Sequence, residues 1–73
     1  MRQYRNLEQR LLTENPRYRT IWIVPVKARG ERRVVLTLFP QGFGDYEYIF
    51  GGKTDFTYES INEILQKHLE LSN

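Results

Sequence analysis

The sequence predicts an α+β fold of α-β-β-β-α order, with a three-stranded antiparallel sheet and both helices packed on one of its faces. Three observations carry this. Apolar residues recur at helical spacing at both ends of the 73-residue chain, β-branched and aromatic runs fill the middle, and Gly, Pro and Asn clusters separate them. At this length one domain, residues 1–73, is the expectation.

In the first helix Tyr4, Leu7 and Leu11, with Leu12 beside them, form one apolar stripe, while Arg2, Arg5 and Gln9 lie on another side. Pro16 disfavours helical backbone at Asn15, which predicts an end near Thr13. The first strand, residues 18–27, is rich in β-branched and aromatic residues (Ile21, Trp22, Ile23, Val24, Val26). Pro25 within it cannot donate to a ladder, so an edge strand or a bulge is expected there. Residues 28–31 make a turn, 32–39 a second strand, 40–44 a looser connection and 46–50 a third strand closed by Gly51 and Gly52.

The last helix opens on Thr57 as N-cap, with Phe56 before it and Ile61 placed to staple against it. Tyr58, Ile61, Ile64, Leu65, His68, Leu69 and Leu71 fall on one side, and Glu59, Asn62, Glu63, Gln66, Lys67 and Glu70 on the other. The strands are less clean, because both sides carry apolar residues. Ile21 and Ile23 oppose Trp22, Val24 and Val26; Val34, Leu36 and Leu38 oppose Val35 and Phe39; Tyr46, Tyr48 and Phe50 oppose Glu47 and Ile49. Two short helices cover one face, so an apolar second face marks a partner surface unless Arg side chains and loops cover it.

Charge is polarised along the chain. Nine of the 11 Lys and Arg residues lie in the first 33 positions against three acids, a net +6; residues 34–73 hold two bases against six acids, a net −4. This asymmetry points to an anionic partner or to copies of the chain itself. The chain has no Cys and one His, His68, which excludes disulfides and thiolate or multi-histidine zinc sites. No apolar run approaches the length of a membrane span, and the N-terminus lacks the apolar core of a signal peptide, so the chain reads as soluble and cytoplasmic.

Catalytic constellations are missing from the pattern. Ser60 and His68 stand eight residues apart on one helix, about 12 Å along its axis, too far for a nucleophile–base pair. Asp45 and Glu47 share one strand face without a third ligand nearby. Residues 51–54, Gly-Gly-Lys-Thr, read like the end of a phosphate loop, but Glu47 stands where its first glycine belongs. A glycine turn is the simpler reading, and a backbone nest for phosphate beside Lys53 is the other. No enzyme, cofactor, metal or small-molecule substrate is expected.

The helix–three strands–helix order resembles that of the double-stranded-RNA-binding domain, whose second helix opens on glycine and basic residues. Residues 55–59, Asp-Phe-Thr-Tyr-Glu, are acidic at that point. Residues 11–16 resemble the end of the first helix of the phosphotyrosine-binding Src-homology-two domain, and residues 60–65 the start of its last. The arginine that family carries on a central strand falls near Val24 or Pro25, so neither resemblance brings site residues with it.

The expected function is therefore a non-catalytic interaction module of regulator or inhibitor type. It docks on a protein through its sheet face or edge and its basic half, or self-associates. The alternative is a nucleic-acid binder. Arg17, Arg19, Arg29, Arg32 and Arg33 are the candidates for contact with partner or phosphate, and Trp22, Tyr46 and Tyr48 for aromatic contact, with Trp22 or Tyr18 as stacking rings on nucleic acid.

Overall fold

The sheet is assembled by a tight turn. Arg29 (φ 54°) and Gly30 (φ 78°) both adopt left-handed backbone, the geometry of a two-residue turn whose twist matches that of the strands it joins. In this computed structural model, which describes residues 3–42 and 44–71, that turn connects β1 (Tyr18–Ala28) to β2 (Glu31–Pro40). β3 (Glu47–Lys53) pairs with the other side of β2, giving an open antiparallel sheet of order β1-β2-β3. Helices α1 (Arg5–Glu14) and α2 (Tyr58–Leu71) flank it, so the α-β-β-β-α order is observed. Met1, Arg2, Phe43, Ser72 and Asn73 lie outside the described residues, and with them the expected placements of Arg2 on the first helix and of Phe43 in the loop.

One face of the sheet carries the core. Ile21, Ile23, Val34, Leu36 and Leu38 are buried against Leu11 of α1 and Ile61 and Leu65 of α2, with Tyr18 and Phe56 closing the ends. Each such side chain contributes about 1.5–3 kcal/mol on burial, the main return available to a chain this short. Ile61 and Phe56 are both buried at the start of α2, and the Ser60 amide donates to Thr57 Oγ1 at 3.3 Å, as the cap-and-staple pattern predicts.

Helix α1 ends at Glu14, next to the expected Thr13, and Asn15 closes it by donating from its side chain to the Leu11 carbonyl (2.7 Å) and from its backbone to that of Leu12 (3.2 Å). Three features depart from the sequence reading. β3 does not close at Gly51 and Gly52 but continues through them to Lys53. The register with β2 shifts between the Val35–Phe50 and Arg33–Lys53 pairs, so the two glycines form a bulge instead of a stop. Leu71 is exposed, because the last turn of α2 passes the rim of the core. Glu8, which the helix pattern counts as polar, is 2 % exposed and accepts the Ile23 amide through Oε2 at 2.8 Å.

That last contact closes one edge of the sheet. Ile23 turns its amide away from β2, and two residues on, at the same outward position, Pro25 has no N–H at all. β1 is thus an edge strand, as its proline implies, and its register with β2 is regular across Pro25. The irregularity in β1 lies instead between Tyr18 and Thr20.

Candidate interaction surface

On the side away from the helices, the sheet presents rings. Residues of alternate parity line up across the three strands as Trp22–Thr37–Tyr48 and Val24–Val35–Phe50, with Phe39 and Tyr46 at one end and Val26–Arg33–Lys53 at the other. Successive ring centroids lie 4.8 Å apart for Trp22 and Phe39, 5.9 Å for Phe39 and Tyr46, 5.1 Å for Tyr46 and Tyr48, and 6.1 Å for Tyr48 and Phe50. Edge-to-face and tilted contacts dominate, the arrangement favoured by the ring quadrupoles. Trp22, Tyr46 and Tyr48 keep 36 %, 54 % and 52 % of their surface exposed, and Phe50 keeps 79 %. Thr37 is buried beneath its flanking rings although no helix covers that face. The Tyr48 phenol is raised above its ordinary value by its hydrogen bond with Tyr46 and, next, by desolvation.

The three aromatic candidates are therefore gathered on one face, and the structure adds Phe39 and Phe50 to them. Both share the parity of Trp22, Tyr46 and Tyr48, so strict alternation along the strands is the signal that identifies them.

The five arginines are not gathered. Arg19 stands at the Phe39 end, with its guanidinium 5.7 Å from that ring and Nη1 donating to the Pro40 carbonyl at 2.9 Å. Arg33 sits at the opposite end of the same face, in register with Val26 and Lys53 and paired to Glu31 at 3.1 Å. Arg32, its neighbour in sequence, points to the helix side. There it donates to the Tyr4 hydroxyl (2.7 Å) and lies 4.7 Å from the Phe56 ring, which itself stacks on Tyr4. Arg17 and Arg29 are exposed in the loops at the two ends of β1.

The remaining motifs have structural positions. Gly51, Gly52 and Lys53 are strand residues, and the start of α2 is filled by the Asp55 carboxylate. Asp55 Oδ1 accepts from the Thr57 amide (3.2 Å), Thr57 Oγ1 (2.9 Å) and Ser60 Oγ (2.6 Å), and these bonds hold its carboxyl below the ordinary range. A phosphate nest there would face an anion already in place. An open cleft of about 690 Å³ beside it mixes Arg32 and Lys53 with Glu31, Asp55 and Glu63, and so offers no net positive pocket. Glu47 faces His68 of α2 at 3.8 Å, while Asp45 lies in the preceding loop, so the two acids do not converge. Among the described residues no three His, Asp or Glu side chains cluster as a metal site, and no helix is long and apolar enough to cross a membrane.

No protein-family model matches the chain, and no curated protein or solved structure matches it either.

Proposed function

We infer that the protein is a docking module that binds another protein through the open face of its sheet, with Trp22, Tyr48 and Phe50 as the anchoring side chains. The single observation that supports this reading is the continuous row of five aromatic rings left uncovered by the two helices. Trp, Tyr and Arg are the residues over-represented among binding hot spots, and the aromatic rings bury much area for little lost side-chain freedom. Arg19, Arg33 and Lys53 at the ends of the row, against Glu31, leave the rim positive and favour an apolar partner surface with acidic flanks.

Nucleic acid is the second reading, favoured by Arg19 beside Phe39, a cation next to a stacking ring. Against it, the arginines divide between both faces and the loops instead of tracing a backbone path.

The test places a photo-crosslinking residue at position 50 in cells, identifies the captured protein, and measures its affinity for the purified chain. Tyr48→Ala and Phe50→Ala should each weaken that purified complex by about 2 kcal/mol or more, whereas Arg17→Glu, away from the face, should change it little. Unchanged affinity in both alanine variants refutes the reading. Oligonucleotide binding that collapses between about 50 and 200 mM salt would put nucleic acid in its place.

A further inference from the structure

We propose that the part of the partner seated on the open face is a short proline-rich segment in polyproline II form with an acidic tip. This names the occupant of the docking face and rests on that reading, and the experiment below separates the failure of one from the failure of the other.

Area limits the occupant first. Three strands about 4.8 Å apart and roughly seven residues long give a plane of some 330 Å², well under the 800 Å² or so that a standard interface buries per partner. A face this small favours a segment already ordered before it binds, because such a segment loses less freedom on docking. Polyproline II is ordered in this way, and at about 3.1 Å per residue some seven of its residues span the roughly 23 Å length of the face. A helix of that length has about 15 residues and is marginal on its own in water.

The chemistry of the face selects proline. Successive rings from Trp22 to Phe50 are inclined to one another by 66°, 44°, 75° and 40°, so the surface is ridged and has notches between ring edges. Pyrrolidine rings fill notches of this kind, which is how aromatic-lined surfaces take proline-rich segments. The backbone groups of the sheet lie in its plane, and no carboxylate stands among the rings. An ordinary extended peptide laid there would bury N–H groups with few acceptors, whereas proline has no N–H to strand. Tyr46 and Tyr48 share a hydrogen bond, which engages one hydroxyl proton and leaves the other to donate to a peptide carbonyl.

Charge places the tip. Arg33 and Lys53 stand opposite each other at the Val26 end of the face, with Glu31 paired to Arg33. Like charges facing across a ladder are unfavourable, and an anion brought by the partner relieves them. At the Phe39 end Arg19 is already engaged by the Pro40 and Gly42 carbonyls and by the ring. The acidic residues of the segment therefore belong at the Arg33–Lys53 end.

The test titrates the full chain with an eight-proline peptide carrying two Asp residues at one end, made in both orders, and follows the emission of Trp22, the one tryptophan of the chain. The peptide has no fluorophore, and covering the part-exposed indole shifts its emission to the blue. The expected result is saturable binding of one order with a dissociation constant on the order of 100 µM or tighter. Phe50→Ala should weaken it at least about tenfold, and replacing the two Asp of the peptide by Lys should do the same. Lys53→Glu should erase the preference for the acidic tip. No saturable shift up to about 1 mM peptide overturns the proposal. So does equal binding of a peptide with Gly and Ser in place of proline, or of the Asp-tipped and Lys-tipped forms. These titrations of the parent chain decide the matter even if a variant fails to fold. If the peptides fail while the crosslinked protein still depends on Tyr48 and Phe50, the docking reading stands and only the proline-rich segment falls. If that dependence is absent too, both fall.

Discussion

Gly51→Ala tests whether the Gly-Gly pair is a packing device or a ligand loop. A methyl group at Gly51 would sit 2.6 Å from Val34 Cγ1, 3.0 Å from Ile64 Cδ1 and 3.3 Å from the Val34 carbonyl oxygen. Val34 is fully buried in the central strand and cannot step aside; Ile64, half-buried on α2, can turn only by loosening the helix from the sheet. Overpacking of this kind costs about 1–3 kcal/mol, and with one neighbour rigid we expect about 2 kcal/mol. For a domain of this size that lowers the melting temperature by about 8–16 °C, a large share of a total stability on the order of 4–11 kcal/mol. Gly52 is the internal control. It has the same composition, the same bulge and no positive φ, but a methyl group there meets nothing within 4 Å. Gly52→Ala should stay within about 0.5 kcal/mol of the parent. Thermal and urea denaturation followed by circular dichroism give both numbers. Equal cost for the two substitutions would refute the reasoning, because a glycine required by backbone conformation or by a bound phosphate would not distinguish contacts that only Gly51 has.

Three further outcomes follow from the same contacts. Glu8→Ala should cost about 2 kcal/mol in urea denaturation, by stranding the buried Ile23 amide, and should make the chain aggregate through the reopened β1 edge, read by light scattering. Arg29→Asn should raise stability by about 0.5–1 kcal/mol in the same assay, because Asn tolerates the left-handed backbone that Arg29 now occupies ahead of Gly30. Two groups shape the pH profile. The Asp55 carboxyl is held below its usual 3.8 by Ser60 and Thr57, so the stability it confers is complete above that pH and lost as the pH falls through its folded value. The Tyr18 phenol is raised above 10.0 chiefly by burial, so its contribution is complete below pH 10.0 and lost as the pH rises through the folded value. The stability difference between the parent and Asp55→Asn should shrink in acid, and that between the parent and Tyr18→Phe in alkali.

How much of this was legible in the sequence depended on what each residue's signal competes with. Helix α2 was plain because cap, staple and apolar stripe agree, and only Leu71, beyond the edge of the sheet, misled. The three strands were plain because alternation is local. The continuation of β3 was not, since two glycines in a row look like a turn, and only the register against β2 shows a bulge. Glu8 was invisible for a different reason: its partner is a backbone amide on another element, and a backbone amide leaves no trace in sequence. The aromatic face followed from parity. The five candidate arginines are spread over both faces and the loops, since Arg32 and Arg33 are neighbours in a strand and must point to opposite faces.

That opposition bears on the charge asymmetry of the chain. A net +6 in the first 33 residues invites an anionic ligand. Yet several of those cations already lie against the second half of the molecule. The Arg10 guanidinium sits 3.6 Å from the Tyr58 ring centroid, and Tyr58 in turn donates to Glu14, which Arg10 also meets at 3.5 Å. Arg32 lies over Phe56, and Arg19 reaches Phe39 and the Pro40 carbonyl. Guanidinium is suited to this use: it is planar, weakly hydrated and attracted to ring faces, where Lys would keep its water. The basic half of the sequence thus serves in good part as cover and clamp for rings on other elements. Among the described residues, an anionic partner is left with Arg5 at the start of α1, with Arg17, Arg29 and Lys27 around β1, with Arg33 and Lys53 at one end of the open face, and with whatever Arg19 can spare. Among the described residues no Lys or Arg lies over the rings of Tyr46, Tyr48 and Phe50, the stretch on which the proposed partner would dock.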